Sequence, residues 1–278
     1  MITNNFSVLM SVYAKENPKY LSDALDSIFQ QNLLANEVVI VKDGPLTDEL
    51  DSVIETYEKR YSELKVVAIP ENKGLGLALN EGLKHCSFDW VARMDTDDVA
   101  LKNRFQVQVD FINSHPEIDL VGSDIQEFSN EIDEIVSYKK MPTEHFQISE
   151  MLKQRTPVCH MTVFFRKQAV IEAGNYLDLP YVEDYYLWSR MIVNGSRFAN
   201  IPKALVLVRV GNGMAKRRGN RKSISSWKTV QQFLLKNNVI NRIEYIKNMI
   251  IIRIFIYTPA SVKELLYKYI LRRSGVTN

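Results

Sequence analysis

The 278-residue chain has only two cysteines, Cys86 and Cys159, far apart and without a C-x-x-C pairing. That excludes a disulfide framework and a cysteine zinc site, and suits a reducing compartment. The four histidines, His85, His115, His145 and His160, show no metal-ligand spacing either. Long apolar runs are missing too. The strongest, "NMIIIRIFIYTP", is broken by Arg253 and stopped by Pro259, well short of the roughly 20 residues a spanning helix needs. The opening "MITNNFSVLMSVYAKEN" lacks a basic leader and reads as a first strand rather than a signal peptide. A third scarcity is acid beyond residue 213. Residues 214–278 hold 14 Lys or Arg against Glu244 and Glu264, a net of +12, which leaves residues 1–213 at −10 within a total of +2.

What is present is a regular alternation of strands and helices. "FSVLMSVY" is an apolar strand, and Asn17 followed by Pro18 marks a helix start. Leu21, Ala24, Leu25, Ile28 and Phe29 then share one helical face before the strand "EVVIVKDGP". "TDELDSVIETYEKRY", "LKVVAIP", "GLGLALNEGLKHC" and "FDWVARM" continue the rhythm as helix, strand, helix and fourth strand. This predicts an α/β fold with a mainly parallel sheet covered on both faces, with ligands bound beyond the carboxyl ends of the strands. That rim holds Tyr13, Asp43, Asn72 and the cluster Asp95, Asp97, Asp98. After residue 117 a hairpin ("IDLVGSDIQEF", "EIVSYKK"), a strand "HMTVFFRK" and a helix "EDYYLWSRMIVNG" are expected.

The acidic cluster admits three readings. It caps the next helix, since Asp is a favoured N-cap. It is a phosphatase loop of the haloacid-dehalogenase type, with Asp95 as covalent nucleophile; such loops follow the first core strand, however, and no later Gly-Asp-x-x-x-Asp motif is present. Or it is a clamp of hard oxygen ligands for Mg²⁺ or Mn²⁺ that bridges to a diphosphate. "GLGLALN" lacks the third glycine of a dinucleotide loop and does not follow the first strand.

Taken together, "SVLMSVY" with Glu16, "SIFQQ", "VVIVKDG", "NKGLGLALNEG", "ARMDTDD" and "EDYYLW" occur in an order that resembles glycosyltransferase family 2 over roughly residues 5–213. The resemblance implies a GT-A fold, a UDP-sugar donor, a divalent metal and inversion at the anomeric carbon. It matches Ser11 and Tyr13 to the strand end that lines the nucleobase, and Asp43 to an acceptor for uracil. Lys42 stands where many members have a second acid. Lys73 and Gly74 fall near the nucleotide. Asp95 and Asp97 match the two aspartates of the Asp-x-Asp motif, with Thr96 between them, the first toward the ribose and the second on the metal, with Asp98 in support. Arg93 is expected to steady the donor or to form a structural ion pair. Glu183 and Asp184 match an acidic pair near the acceptor, Asp184 being the expected general base. His160 and Trp188 are candidates for acceptor contact, with core packing as the alternative for each.

Arg217 and Arg218, in "RVGNGMAKRRGNRKS", are expected either on a diphosphate loop or as solvated charge. The chain divides into a catalytic domain, 1–213, and a basic amphipathic helical region, 214–278. The latter suits an anionic membrane surface better than nucleic acid, with a packed helical cap as the alternative. The resulting expectation is an inverting β-hexosyltransferase, cytoplasmic and peripheral on the inner membrane face. It moves galactose or glucose from a UDP-sugar to a lipid-diphosphate-linked sugar such as GlcNAc-diphospho-undecaprenol in surface-polysaccharide synthesis. A noncatalytic sugar-nucleotide-binding protein is a further alternative.

Overall fold

The structure, a computed structural model, describes residues 5–129, 131–210 and 223–259. Arg217 and Arg218 therefore lie outside the described residues, as does the expected boundary at 213/214.

The first four strands are β1 (Ser7–Val12), β2 (Glu37–Asp43), β3 (Leu64–Ile69) and β4 (Trp90–Arg93), linked by α1 (Pro18–Phe29), α2 (Asp48–Arg60) and α3 (Leu75–His85). They pair in parallel in the order β3-β2-β1-β4. The helices start where capping chemistry places them. The Asn17 side chain accepts from the Lys19 N–H at 2.9 Å ahead of Pro18, and Thr47 precedes an acidic first turn in α2 whose last turn is basic. Leu21, Ala24, Leu25 and Ile28 are buried as the periodicity predicts.

Beyond β4 the sheet continues with antiparallel members. They comprise β5 (Val99–Ala100), β6 (Leu120–Phe128), β7 (Ile135–Lys139), β8 (Phe164–Arg166) and β9 (Phe198–Arg209). The full order is β3-β2-β1-β4-β8-β6-β9-β5, with β7 beside β6. Helices α4 (Arg104–Ser114), α5 (His145–Leu152), α6 (Lys167–Glu172) and α7 (Glu183–Val193) lie between these strands. Because β8 runs against both β4 and β6 and β9 runs with β6, the carboxyl ends of β1, β2, β4 and β9 share one rim.

Two local differences from the sequence reading have clear causes. The expected strand "HMTVFFRK" is shorter, because His160–Thr162 forms a 3₁₀ turn in which Thr162 Oγ1 donates to the Cys159 carbonyl at 2.8 Å. Strand β9 is not anticipated by the sequence reading, since Pro202 interrupts its alternation. The structure absorbs Pro202 and Lys203 in a bulge, the register stepping from Ser123↔Ile201 to Asp124↔Ala204.

The region after residue 222 is helical. In α8 (Ser223–Lys236) Val230 and Leu234 join the same buried cluster as Tyr185, Leu187 and Trp188 of α7. In α9 (Arg242–Tyr257) Asn248 donates to the Lys153 carbonyl and to Gln231 Oε1, both at 2.8 Å. One side of α9 is thus tied to the domain. The other carries exposed Ile243, Ile246, Ile250, Ile251 and Ile254. No helix among the described residues is long and apolar enough to cross a membrane.

Candidate active site

Site residues sit at the strand ends because side chains beyond the last ladder bond leave the packed core. At the end of β2, Asp43 is 3% exposed. Its Oδ1 accepts the Lys73 N–H at 2.7 Å, and its Oδ2 accepts the Gly74 N–H and an Asn72 Nδ2–H, both at 3.0 Å. Asp43 is therefore a structural acceptor for the loop, with lone-pair capacity left on Oδ1. Both oxygens are engaged in holding the 72–74 loop and the start of α3. Gly44, with φ +83°, permits that closure, since a Cβ there would lie 2.6 Å from the Asn72 nitrogen. Ser11, Tyr13 and Glu16 line the adjoining β1 end half-buried, and Lys73 is exposed.

At the end of β4 the chain makes an acidic turn. One carboxylate oxygen each from Asp95, Asp97 and Asp98 lie within 4.8 Å of one another. Asp98 is buried, and its carboxyl is pushed well above the usual range by that burial and then by Asp97 and Asp95. It survives there because its Oδ1 accepts the Arg209 backbone N–H at 2.9 Å. The Arg209 guanidinium stacks 3.8 Å from the Tyr20 ring centroid and 4.5 Å from that of Phe128. Its Nε donates to the Asp97 carbonyl at 3.2 Å. Sequence reasoning missed Arg209 as the brace of this turn; it lies 111 positions from Asp98, and its only local signal is its place at a strand end.

Repulsion among hard carboxylate oxygens at this spacing fits a divalent cation, which relieves it. Thr96, expected with its neighbours on the nucleotide-sugar side, has its side chain buried within the turn.

Arg93 is 1% exposed and forms an ion pair with Asp95. Of the two expectations for Arg93 this is the structural ion pair, and a guanidinium buried beneath the turn reaches it through Asp95. Its Nε and Nη1 have no hydrogen-bond partner among the described residues. Below it, Arg104 donates to the Arg93 carbonyl at 2.7 Å, and burial and then Arg93 push the Arg104 pKa down to about 9.

Opposite lies the first turn of α7. Glu183 is pushed up to about 7 by burial and then by Asp184, while Arg93 pulls it down. Asp184 is raised by burial as well, against the Tyr185 N–H it accepts at 2.6 Å and against the field of Arg93. Gly76 lets α3 close on this turn, since a Cβ there would lie 2.6 Å from the Leu177 carbonyl oxygen and 3.3 Å from Glu183 Cβ. A buried carboxylate pair, both members raised and Glu183 to about 7, on the same rim as a cation-ready acidic turn suits removal of a proton on one side and departure of an anion on the other.

For Trp188 and His160 the burial matches the packing alternative. Trp188 is fully buried, its ring 5.8 Å from His160, 6.3 Å from Tyr176 and 6.1 Å from Phe198. Packing on all sides leaves no face for a sugar. His160 is buried with Nε2 3.0 Å from the Tyr176 hydroxyl. Burial and then Arg93 hold its pKa well below the usual value, so it stands neutral behind the site rather than at its surface.

A mainly parallel sheet with an acidic turn at the end of its fourth strand and a second acidic pair across the rim defines a GT-A glycosyltransferase. The family profile described as Glycosyl transferase family 2 matches residues 7–174, and the chain belongs to that family. It is 42% identical to the amylovoran biosynthesis glycosyltransferase AmsE of Erwinia amylovora, over 83% of this chain and 85% of that one. It is 37% identical to the UDP-Gal:alpha-D-GlcNAc-diphosphoundecaprenol beta-1,3-galactosyltransferase of Escherichia coli, over 98% of both. Among solved structures, S. aureus TarS 1–349 in complex with UDP-GlcNAc superposes with a TM-score of 0.68 at 18% identity, over 97% of this chain and 76% of that one. With the family in hand, the phosphatase alternative is withdrawn: Asp95 follows the fourth strand and is ion-paired to Arg93.

Proposed function

We propose that the protein is a metal-dependent inverting hexosyltransferase. It moves galactose or glucose from a UDP-sugar to a sugar on a lipid diphosphate, forming a β-linkage in surface-polysaccharide synthesis. The observation that carries the reading is the pairing of the Asp95–Asp97–Asp98 turn with Glu183–Asp184 on the same rim. The 37% identity to a galactosyltransferase whose name specifies a lipid-diphosphate GlcNAc acceptor, along nearly the whole of both chains, supports the substrate class.

Asp97 and Asp95 are the residues that would hold Mn²⁺ or Mg²⁺, and Asp98 keeps the turn in shape from below. Bound there, the cation would supply Lewis-acid stabilisation of the departing diphosphate. Ser11 and Tyr13 border the nucleotide, and Asp43 shapes the 72–74 loop beside it. Asp184 takes the proton from the acceptor hydroxyl as that oxygen attacks the anomeric carbon from the face opposite UDP, so one bond forms as the other breaks. Glu183, at about 7, shares the proton load and sets the pH at which the pair is ionised.

The exposed isoleucines of α9, flanked by Arg242, Lys247 and Arg253, support a peripheral position on the anionic inner face of the membrane, beside a lipid-linked acceptor. The deciding experiment incubates folded protein with a panel of UDP-sugars, Mn²⁺ and a GlcNAc-diphospho-lipid analogue, read by mass spectrometry. One UDP-hexose should be consumed with a product heavier by one hexose. Consumption of none overturns the reading.

A further inference from the structure

Five carboxylates gather around this cleft: Asp95, Asp97 and Asp98 on one side, Glu183 and Asp184 on the other. Arg93 lies beneath both groups. Its field acts on Asp98, Glu183 and Asp184, while Asp95 holds it by an ion pair. His160, the other basic side chain at this depth, is neutral and turned to Tyr176. Arg104 is bonded to the Arg93 carbonyl and to Gln108, with no ion pair to the carboxylates among the described residues.

A buried guanidinium with two unpartnered N–H groups is costly, because each unmet donor forfeits its hydration. Asp95 engages Nη2, while Nε and Nη1 remain free of hydrogen bonds. The strand end that carries them is rigid: the Arg93 N–H donates to the Val163 carbonyl at 2.9 Å, and its carbonyl accepts from Arg104. A cation fixed this firmly and left partly unpaired is set to respond to whatever changes charge on either side.

Resting on the transferase reading above, we propose that Arg93 is a positioning residue that links the two halves of the reaction. In the free enzyme it is drawn to Asp95. When a cation and diphosphate engage Asp95, the guanidinium shifts its hydrogen bonds toward the Glu183–Asp184 turn and orients Asp184 for the acceptor hydroxyl. Occupation of the acidic turn thereby readies the base.

The test has a thermal arm and a kinetic arm. In metal-free protein, R93M leaves the carboxylates without their shared cation and lowers Tm by roughly 4 °C or more. Adding E183Q should recover at least about half of that loss, because the coupling runs to α7 as well as to Asp95. Recovery by D95N alone, with none from E183Q, would overturn the proposal. Where R93M does not fold, R93Q, which also removes the charge but keeps a polar amide, carries the same cycle. In the kinetic arm R93K keeps charge and loses the planar fork. It should bind UDP with Mn²⁺ within about threefold of wild type and lose on the order of 100-fold in kcat with little change in donor KM. Wild-type kcat in R93K also sinks it. Failure of the wild type itself to transfer sugar is a different result, which strikes the transferase reading and leaves the thermal cycle to judge Arg93.

Discussion

The Arg209 backbone N–H donates to Asp98 Oδ1 at 2.9 Å, bonding the last residue of β9 to the acidic turn that follows β4. The bond ties the later, mixed part of the sheet to the metal-ready corner of the earlier, parallel part. It also fixes a buried carboxylate whose neighbours repel it.

That arrangement trades stability for binding. The Asp98 carboxyl is raised in the folded state, so the folded protein holds its proton more tightly than the unfolded chain. Stability from this group is therefore full at low pH and is lost as pH rises from about 4 through the folded value. Asp98→Asn keeps an oxygen for the Arg209 N–H and removes the charge. In EDTA it should raise stability near pH 7 by roughly 0.5–2 kcal/mol, with the gain shrinking toward pH 4, and it should weaken Mn²⁺-dependent UDP binding. Scanning calorimetry at several pH values checks the first outcome, and titration calorimetry the second.

Asp97 and Asp184 should separate binding from chemistry. Asp97→Ala is expected to abolish metal-dependent UDP binding. Asp184→Asn should leave UDP affinity within about threefold and lower kcat by roughly 100- to 10,000-fold. Equal loss of UDP affinity in both would refute the division.

The pair on α7 sets the pH profile. With Glu183 at about 7, kcat/KM should fall as pH drops below about 7, because the pair takes up a proton and loses its base. Glu183→Gln removes the neighbouring negative charge, so Asp184 ionises more readily and the acidic limb moves to lower pH. A limb that stays in place or moves up contradicts the assignment.

Gly76 controls how closely α3 meets α7. Gly76→Ala sets a methyl 2.6 Å from the Leu177 carbonyl oxygen, which should cost about 1–3 kcal/mol. Chemical denaturation measures the cost, and the accompanying shift at Glu183 should lower kcat more than UDP affinity.

The outward face of α9 makes the last prediction. Ile250→Glu with Ile254→Glu, at 50% and 63% exposure, removes apolar surface without touching the core. Flotation with anionic vesicles should show at least about tenfold weaker binding, with UDP binding unchanged.

Much of the parallel half was legible, because Asn17–Pro18, the 21–24–25–28 stripe and the apolar strands are local signals. The acidic turn and the Glu183–Asp184 pair were legible as motifs. The burial that gives those residues their character was not. Arg93 and Trp188 look like available side chains in one dimension and become interior ones only when β8, α7 and β9 close over them. Asp43 likewise reads as an open acid until the 72–74 loop folds back onto its oxygens. β9 was hidden by Pro202, whose accommodation depends on a bulge that only its pairing with β6 defines.

The junction of β4 with β8 is short, just Trp90↔Arg166, Val91↔Phe165 and Ala92↔Phe164, with the Arg166 guanidinium 4.7 Å above the Trp90 ring. Ser11, Tyr13, Asp43 and the Asp95–Asp98 turn precede β8 in the chain, and the Glu183–Asp184 pair follows it. The two acidic groups of the rim thus lie on separate stretches of the chain, one before residue 100 and one after residue 160. A few contacts, the Arg209 bond to Asp98 among them, carry the later stretch back to the earlier turn.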